Sequence, residues 1–104
     1  MPLKRKKSRT ALPEIRWSPL ARARLQEIRA FIAMDKPSAA DRLATRIVAC
    51  VELLRLHPHL GRPGPESGLR ELIIGGTPYL IRYRPRKKQT LILTILHTAQ
   101  TRTP

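Results

Sequence analysis

The stretch that decides the fold is Leu69-Arg70-Glu71-Leu72-Ile73-Ile74-Gly75-Gly76-Thr77-Pro78-Tyr79-Leu80-Ile81-Arg82-Tyr83-Arg84-Pro85-Arg86-Lys87-Lys88-Gln89-Thr90-Leu91-Ile92-Leu93-Thr94-Ile95-Leu96. It contains three β-branched and aromatic-rich runs, Leu69 to Ile74, Tyr79 to Arg84 and Thr90 to Leu96. Gly75-Gly76-Thr77-Pro78 and Pro85-Arg86-Lys87-Lys88-Gln89 separate them. Runs of this composition between Gly/Pro punctuation predict strands. The connections are too short for a crossover, so the strands are antiparallel neighbours. In the middle run Tyr79, Ile81 and Tyr83 alternate with Leu80, Arg82 and Arg84. Successive side chains point to opposite faces, so one face presents two arginines that solvent or a ligand must meet.

Upstream of the strands the period changes. Glu14-Ile15-Arg16-Trp17 alternates polar and apolar and predicts a short first strand. Ser18-Pro19 then predicts a helix start, with a hydroxyl to accept an orphan N–H and a proline that has none to orphan. Ala21, Leu25, Ile28 and Ile32 form one stripe of a helix running to about Asp35, widened by Leu20 and Phe31. Lys36-Pro37 breaks it, and Ser38-Ala39-Ala40-Asp41 restarts a helix with capping-box-like spacing. The second helix sets Leu43, Ile47, Cys50, Val51 and Leu54 on one face and stops at His57-Pro58. From His57 to Gly68 the prolines and glycines predict a surface loop. The expected fold is α+β: an N-terminal strand and a helical hairpin packed on one face of an antiparallel sheet, in the order β-α-α-β-β-β. Residues 1–13, with Lys4-Arg5-Lys6-Lys7-Ser8-Arg9, are expected to form a flexible basic tail, and 14–104 the domain.

Composition narrows the function classes. Lys and Arg number 21 against 7 Asp and Glu, a formal net charge of +14. Such a chain attracts polyanions or an acidic protein. The single cysteine, Cys50, excludes an internal disulfide and fits a reducing cytosol; in its apolar stripe it reads as a small buried hydrophobe. No run approaches the roughly 18 apolar residues of a membrane span, so a cytoplasmic protein without a membrane partner is expected. His57 and His59 have no Cys or carboxylate at ligand spacing, so neither a metal nor another cofactor is expected. There is no helix-turn-helix pattern and few aromatics to stack on bases, which disfavours sequence-specific DNA binding, although a basic nucleic-acid-binding module remains an alternative.

Several motifs in order resemble the RelE/ParE toxin superfamily: Trp17-Ser18-Pro19-Leu20-Ala21, Ile28 to Ile32, Leu56-His57-Pro58-His59-Leu60-Gly61-Arg62-Pro63, Gly68-Leu69-Arg70-Glu71-Leu72, Tyr79-Leu80-Ile81-Arg82-Tyr83 and Ile95-Leu96-His97. The resemblance implies the toxin of a type II toxin–antitoxin system, bound by a cognate acidic antitoxin at the groove between hairpin and sheet. RelE-like members cleave mRNA in the ribosome, whereas ParE-like members, the plasmid stabilisation type, are associated with inhibition of DNA gyrase.

Cleavage of RNA needs a base, an acid and cations for the phosphorane, and Arg70, Glu71, Arg82 and His97 are the candidate set, with Tyr79 and Tyr83 beside them. Two of them have a plainer alternative: Arg70 pairing Glu71 or Glu66 at the rim, and His97 closing the last strand with a hydrogen bond to a backbone carbonyl. Against the RelE-like pattern, Leu72-Ile73-Ile74 replaces a lysine-rich strand and Leu80 replaces an arginine. Thr98-Ala99-Gln100-Thr101-Arg102-Thr103-Pro104 stands where a basic, tyrosine-bearing segment is expected. These departures point to the ParE branch and away from an enzyme. From Leu72 onward there are six basic residues and no acidic one. Arg82, Arg84, Arg86, Lys87 and Lys88 are therefore the expected target contacts.

Overall fold

The computed structural model describes residues 12–101. Strand β1 (Glu14–Trp17) leads into helices α1 (Pro19–Ala33) and α2 (Pro37–Leu53). Strands β2 (Arg62–Pro63), β3 (Arg70–Ile73), β4 (Tyr79–Pro85) and β5 (Gln89–His97) follow, and a short 3-10 turn covers Thr98–Thr101. One five-stranded sheet has the order β1-β5-β4-β3-β2. The α+β layout, with two helices on one sheet face, is the expected one. Two details differ. The sheet is mixed, because β1 joins the edge parallel to β5, and the expected loop contains the two-residue β2, antiparallel to β3. Of the expected tail only Leu12 and Pro13 fall among the described residues, and the Pro13 carbonyl accepts a bond from Arg55 Nη1 at 3.3 Å.

The Ser18 cap forms as the sequence dictates: its Oγ accepts from the Ala21 N–H at 2.9 Å and donates to the Leu93 carbonyl at 2.7 Å. That second bond has a cause in the sheet. Arg82 pairs with Thr94 but Tyr83 with Ile92, so Leu93 is an extra residue on β5, and a bulge leaves the ladder locally incomplete. The hydroxyl that starts α1 thus also takes up the bulge carbonyl and fixes the hairpin to β5. The second helix starts differently from expectation. Lys36 is the N-cap, without a side-chain cap bond, and Pro37 occupies the first turn, so Ser38 lies inside the helix. Proline's preset φ suits that position, and this displaces the expected capping box.

The core lies between hairpin and sheet. Ala21, Ile47, Val51, Leu54, Ile74, Ile81, Tyr83, Ile92 and Ile95 form its buried centre, with Leu25, Ile28, Leu43 and Cys50 packed against it. Leu20 and Phe31, read as widening the α1 stripe, are instead exposed at 49% and 71%. A helical stripe is only as deep as the sheet beneath it is wide.

Candidate functional site

Three strands carry a ladder of charge on the sheet face away from the hairpin. Arg62 of β2 lies opposite Glu71 of β3, and Glu71 lies opposite Arg82 of β4. The Glu71 carboxylate is 6% exposed. Its Oε2 accepts from Arg82 Nε at 2.9 Å and Nη2 at 2.6 Å, while Arg62 Nη2 approaches Oε1 at 3.4 Å. A carboxylate this buried needs such partners, since an uncompensated buried charge is strongly destabilising. Arg82, expected to meet a target, is therefore committed to Glu71.

Arg70 points the other way. It pairs with neither Glu71 nor Glu66; its Nη1 donates to the Gly61 carbonyl at 2.7 Å. Its register partner Tyr83 is fully buried, donates from its hydroxyl to the Pro58 carbonyl at 2.8 Å and accepts the Gly61 N–H at 2.9 Å. Two side chains from β3 and β4 thus hold the loop after α2 by its backbone. Burial pushes the Tyr83 phenol above its ordinary 10.0, against the opposing effects of the Gly61 hydrogen bond and the positive Arg70. The loop passes so close to β3 at Gly61 that an added Cβ would stand 2.6 Å from the Glu71 carbonyl oxygen. Only glycine fits.

His97 ends β5 opposite Tyr79, their rings edge to face at 5.6 Å, and its Nδ1 accepts the Ala99 N–H at 3.1 Å. By strand alternation His97 and Tyr79 share the hairpin side with Ile81, whereas Arg82 and Glu71 lie on the opposite face. The four residues considered for RNA cleavage are thus divided between two faces. No group of His, Cys, Asp and Glu among the described residues could hold a metal, and no described helix is long and apolar enough to cross a membrane.

The remaining cations gather at the β4–β5 turn. Arg86, Lys87 and Lys88 are exposed and Arg84 is half-buried, its Nη1 packed over Gly68, whose φ of +85° suits glycine. A second concentration was not singled out from sequence. A groove of about 640 Å³ runs between α2 and the β3–β4 turn, lined by Arg42, Leu43, Thr45, Arg46, Ala49 and Thr77 among others. The signal for it was the pair of arginines one helical turn apart on α2, but the partner wall is remote in sequence. Also missed was Arg62, because a two-residue strand has no periodicity to read.

This arrangement of hairpin and sheet is shared with a solved structure titled "Chromosomal ParDE TA system from P. aeruginosa", with a TM-score of 0.74 and 26% identity over 83% of this chain and 96% of that one. The fold is thus that of a toxin–antitoxin protein. Residues 15–102 match the family described as "ParE toxin of type II toxin-antitoxin system, parDE". The chain belongs to this ParE toxin family. It is 43% identical to "Putative toxin Y4kP" of Sinorhizobium fredii over 83% of this chain and 88% of that protein. It is also 34% identical to "Toxin RelE2" of Caulobacter vibrioides over 86% of this chain and 99% of that protein.

Proposed function

We propose that this toxin arrests growth by inhibiting DNA gyrase, acts without cleaving RNA, and is neutralised by an acidic antitoxin at the hairpin and sheet. One observation carries the non-enzymatic part: Arg70 and His97 lie on one side of the sheet, and Glu71 and Arg82 on the other, with Glu71 enclosed by Arg82 and Arg62. General acid–base work on one phosphodiester requires the acid, the base and the cation within hydrogen-bond reach of the same few atoms. Electrostatic binding to a protein target needs only the exposed cations of the β4–β5 turn, Arg86, Lys87 and Lys88, with Arg84 behind them. Gyrase as that target follows from the ParE resemblance. Plasmid stabilisation and a cytoplasmic location belong to the same reading.

The RelE name borne by the Caulobacter relative makes ribosome-dependent mRNA cleavage the competing reading. Induced expression in a host carrying a reporter transcript separates the two. Growth arrest with the transcript intact, relieved by co-expressing the adjacent open reading frame, supports the proposal. Transcript cleavage lost in Arg70→Ala or His97→Ala supports the competitor. Nucleic-acid binding by the isolated chain that persists at physiological salt favours a nucleic-acid-binding module.

A further inference from the structure

The loop that Arg70 and Tyr83 hold encloses a cavity of about 360 Å³ against the end of β4, lined by His59, Ser67, Gly68, Arg70 and Pro85 among others. Arg70 enters it already fixed in place. Its Nη1 is taken by the Gly61 carbonyl at 2.7 Å and lies 3.5 Å from the His59 carbonyl, whereas Nε and Nη2 have no acceptor among the described residues. A guanidinium carries five N–H donors in a planar fork, so most of those on Arg70 remain for a ligand. Neither Arg70 nor Arg84 forms an ion pair among the described residues. The Nη1 of Arg84 rests against Gly68 at the cavity edge, 2.8 Å from where a Cβ would stand. Pro85 leads from the cavity straight into Arg86, Lys87 and Lys88, a turn closed by the Arg86 N–H on the Gln89 carbonyl at 3.0 Å. Arg70, Arg84 and the three cations of the turn therefore border one continuous surface. The only carboxylate among the cavity's lining residues is the exposed Glu66.

We infer that this cavity seats one phosphate of a duplex DNA backbone, with the strand continuing over the basic turn. A phosphate offers several acceptor oxygens in different directions. The Arg70 fork meets two of them from one side, and the His59 ring and Ser67 hydroxyl supply donors from the rim. No Phe, Trp or Tyr is among the cavity's lining residues, so a base has nothing to stack on and the contact is to the backbone alone. The spacing fits a strand. From Tyr83, the register partner of Arg70, to Arg86 is three residues, about 10 Å at roughly 3.3 Å each. Successive phosphates of one strand rise about 3.4 Å along the axis, so the surface spans about three of them. Such a contact is independent of sequence and weak by itself, which leaves the protein target to supply the rest of the affinity. The choice of duplex DNA rests on the gyrase reading, since gyrase holds that ligand; the phosphate cavity stands apart from it.

The test follows the anisotropy of a labelled DNA duplex of about 20 base pairs as the purified full chain is added, at salt from about 50 to 200 mM. The logarithm of affinity should fall against that of salt with a slope of about −3, a loss of roughly 40-fold across the range. Ser67→Asp puts a carboxylate into the cavity at an exposed position and is expected to weaken binding about tenfold at low salt. Arg22→Gln, at an exposed position of α1, lowers the net charge by the same amount and should stay within about twofold. Arg70→Gln, checked for folding by thermal melts, should reduce the slope by about one. Equal losses in Ser67→Asp and Arg22→Gln would mean general attraction to the basic chain and would overturn the cavity, as would no DNA binding at low salt. Deoxyadenosine monophosphate at about 1 mM that displaces the DNA and raises the melting temperature would make the ligand a free nucleotide, against the inference. An RNA duplex bound at least about tenfold more tightly would overturn the choice of DNA. A supercoiling assay scores the gyrase reading separately. Inhibition by the unaltered chain that is weakened in Ser67→Asp supports DNA contact within the gyrase complex; inhibition untouched in that variant overturns it while gyrase remains the target.

Discussion

Replacing Tyr83 by Phe removes one oxygen and leaves the ring in place, so it isolates the two bonds that Tyr83, beside Arg70, contributes to holding the loop after α2. The hydroxyl accepts the Gly61 N–H at 2.9 Å and donates to the Pro58 carbonyl at 2.8 Å. Gly61 is buried, and a buried donor left without a partner costs about 1 to 3 kcal/mol. The Pro58 carbonyl is half-buried and regains water, which adds roughly 0.5 to 1 kcal/mol. The variant should therefore lose about 1.5 to 4 kcal/mol, a fall in Tm of roughly 7 to 18 °C for a domain of this size. Urea melts followed by circular dichroism measure it directly. Because burial raises the folded-state pKa above 10.0, the folded chain holds its phenolic proton more tightly than the unfolded chain does. Stability from this group is thus complete below pH 10 and declines as pH rises through the folded value. Tyr83→Phe has no such group, so the stability gap between the two proteins should narrow above pH 10. A Tm shift under about 3 °C with no narrowing of the gap would refute the claim that this hydroxyl holds the loop.

Glu71→Gln should destabilise by about 2 kcal/mol, less than a fully enclosed pair would lose because water can reach the freed Arg62 and Arg82; chemical denaturation checks it. Ser18→Ala removes both the α1 cap and the partner of the Leu93 carbonyl, and should lower stability by about 2 kcal/mol in the same assay. Thr90 is fully buried with its Oγ1 unpartnered, so Thr90→Val should raise stability by about 1 kcal/mol in thermal melts.

The helices and strands β1, β3, β4 and β5 were legible because each shows its period or composition within one segment. The Ser18 cap was legible too, since its accepting bond lies three residues along the chain. What escaped reading depends on pairing across the chain. The parallel place of β1 beside β5, the two-residue β2 and the bulge at Leu93 are set by neighbours many residues away. The same holds at the candidate site. Adjacent Arg70 and Glu71 suggest a local pair, but alternation sends them to opposite faces, where Gly61 and Arg82 meet them instead. The basic turn needed only composition to find, whereas the α2 groove needed Gly75 and Gly76 placed beside Arg46.

The measurement that bears most directly on the proposed function is a titration of the purified chain into a DNA gyrase supercoiling reaction, run beside a translating-ribosome mRNA cleavage assay. Gyrase inhibition through the basic turn predicts dose-dependent loss of supercoiling, weakened at least tenfold in Lys87→Glu/Lys88→Glu as two charges proposed to face the target reverse, and full-length mRNA at every dose. Undiminished supercoiling with mRNA cleaved in a manner that requires Arg70 and His97 would contradict it.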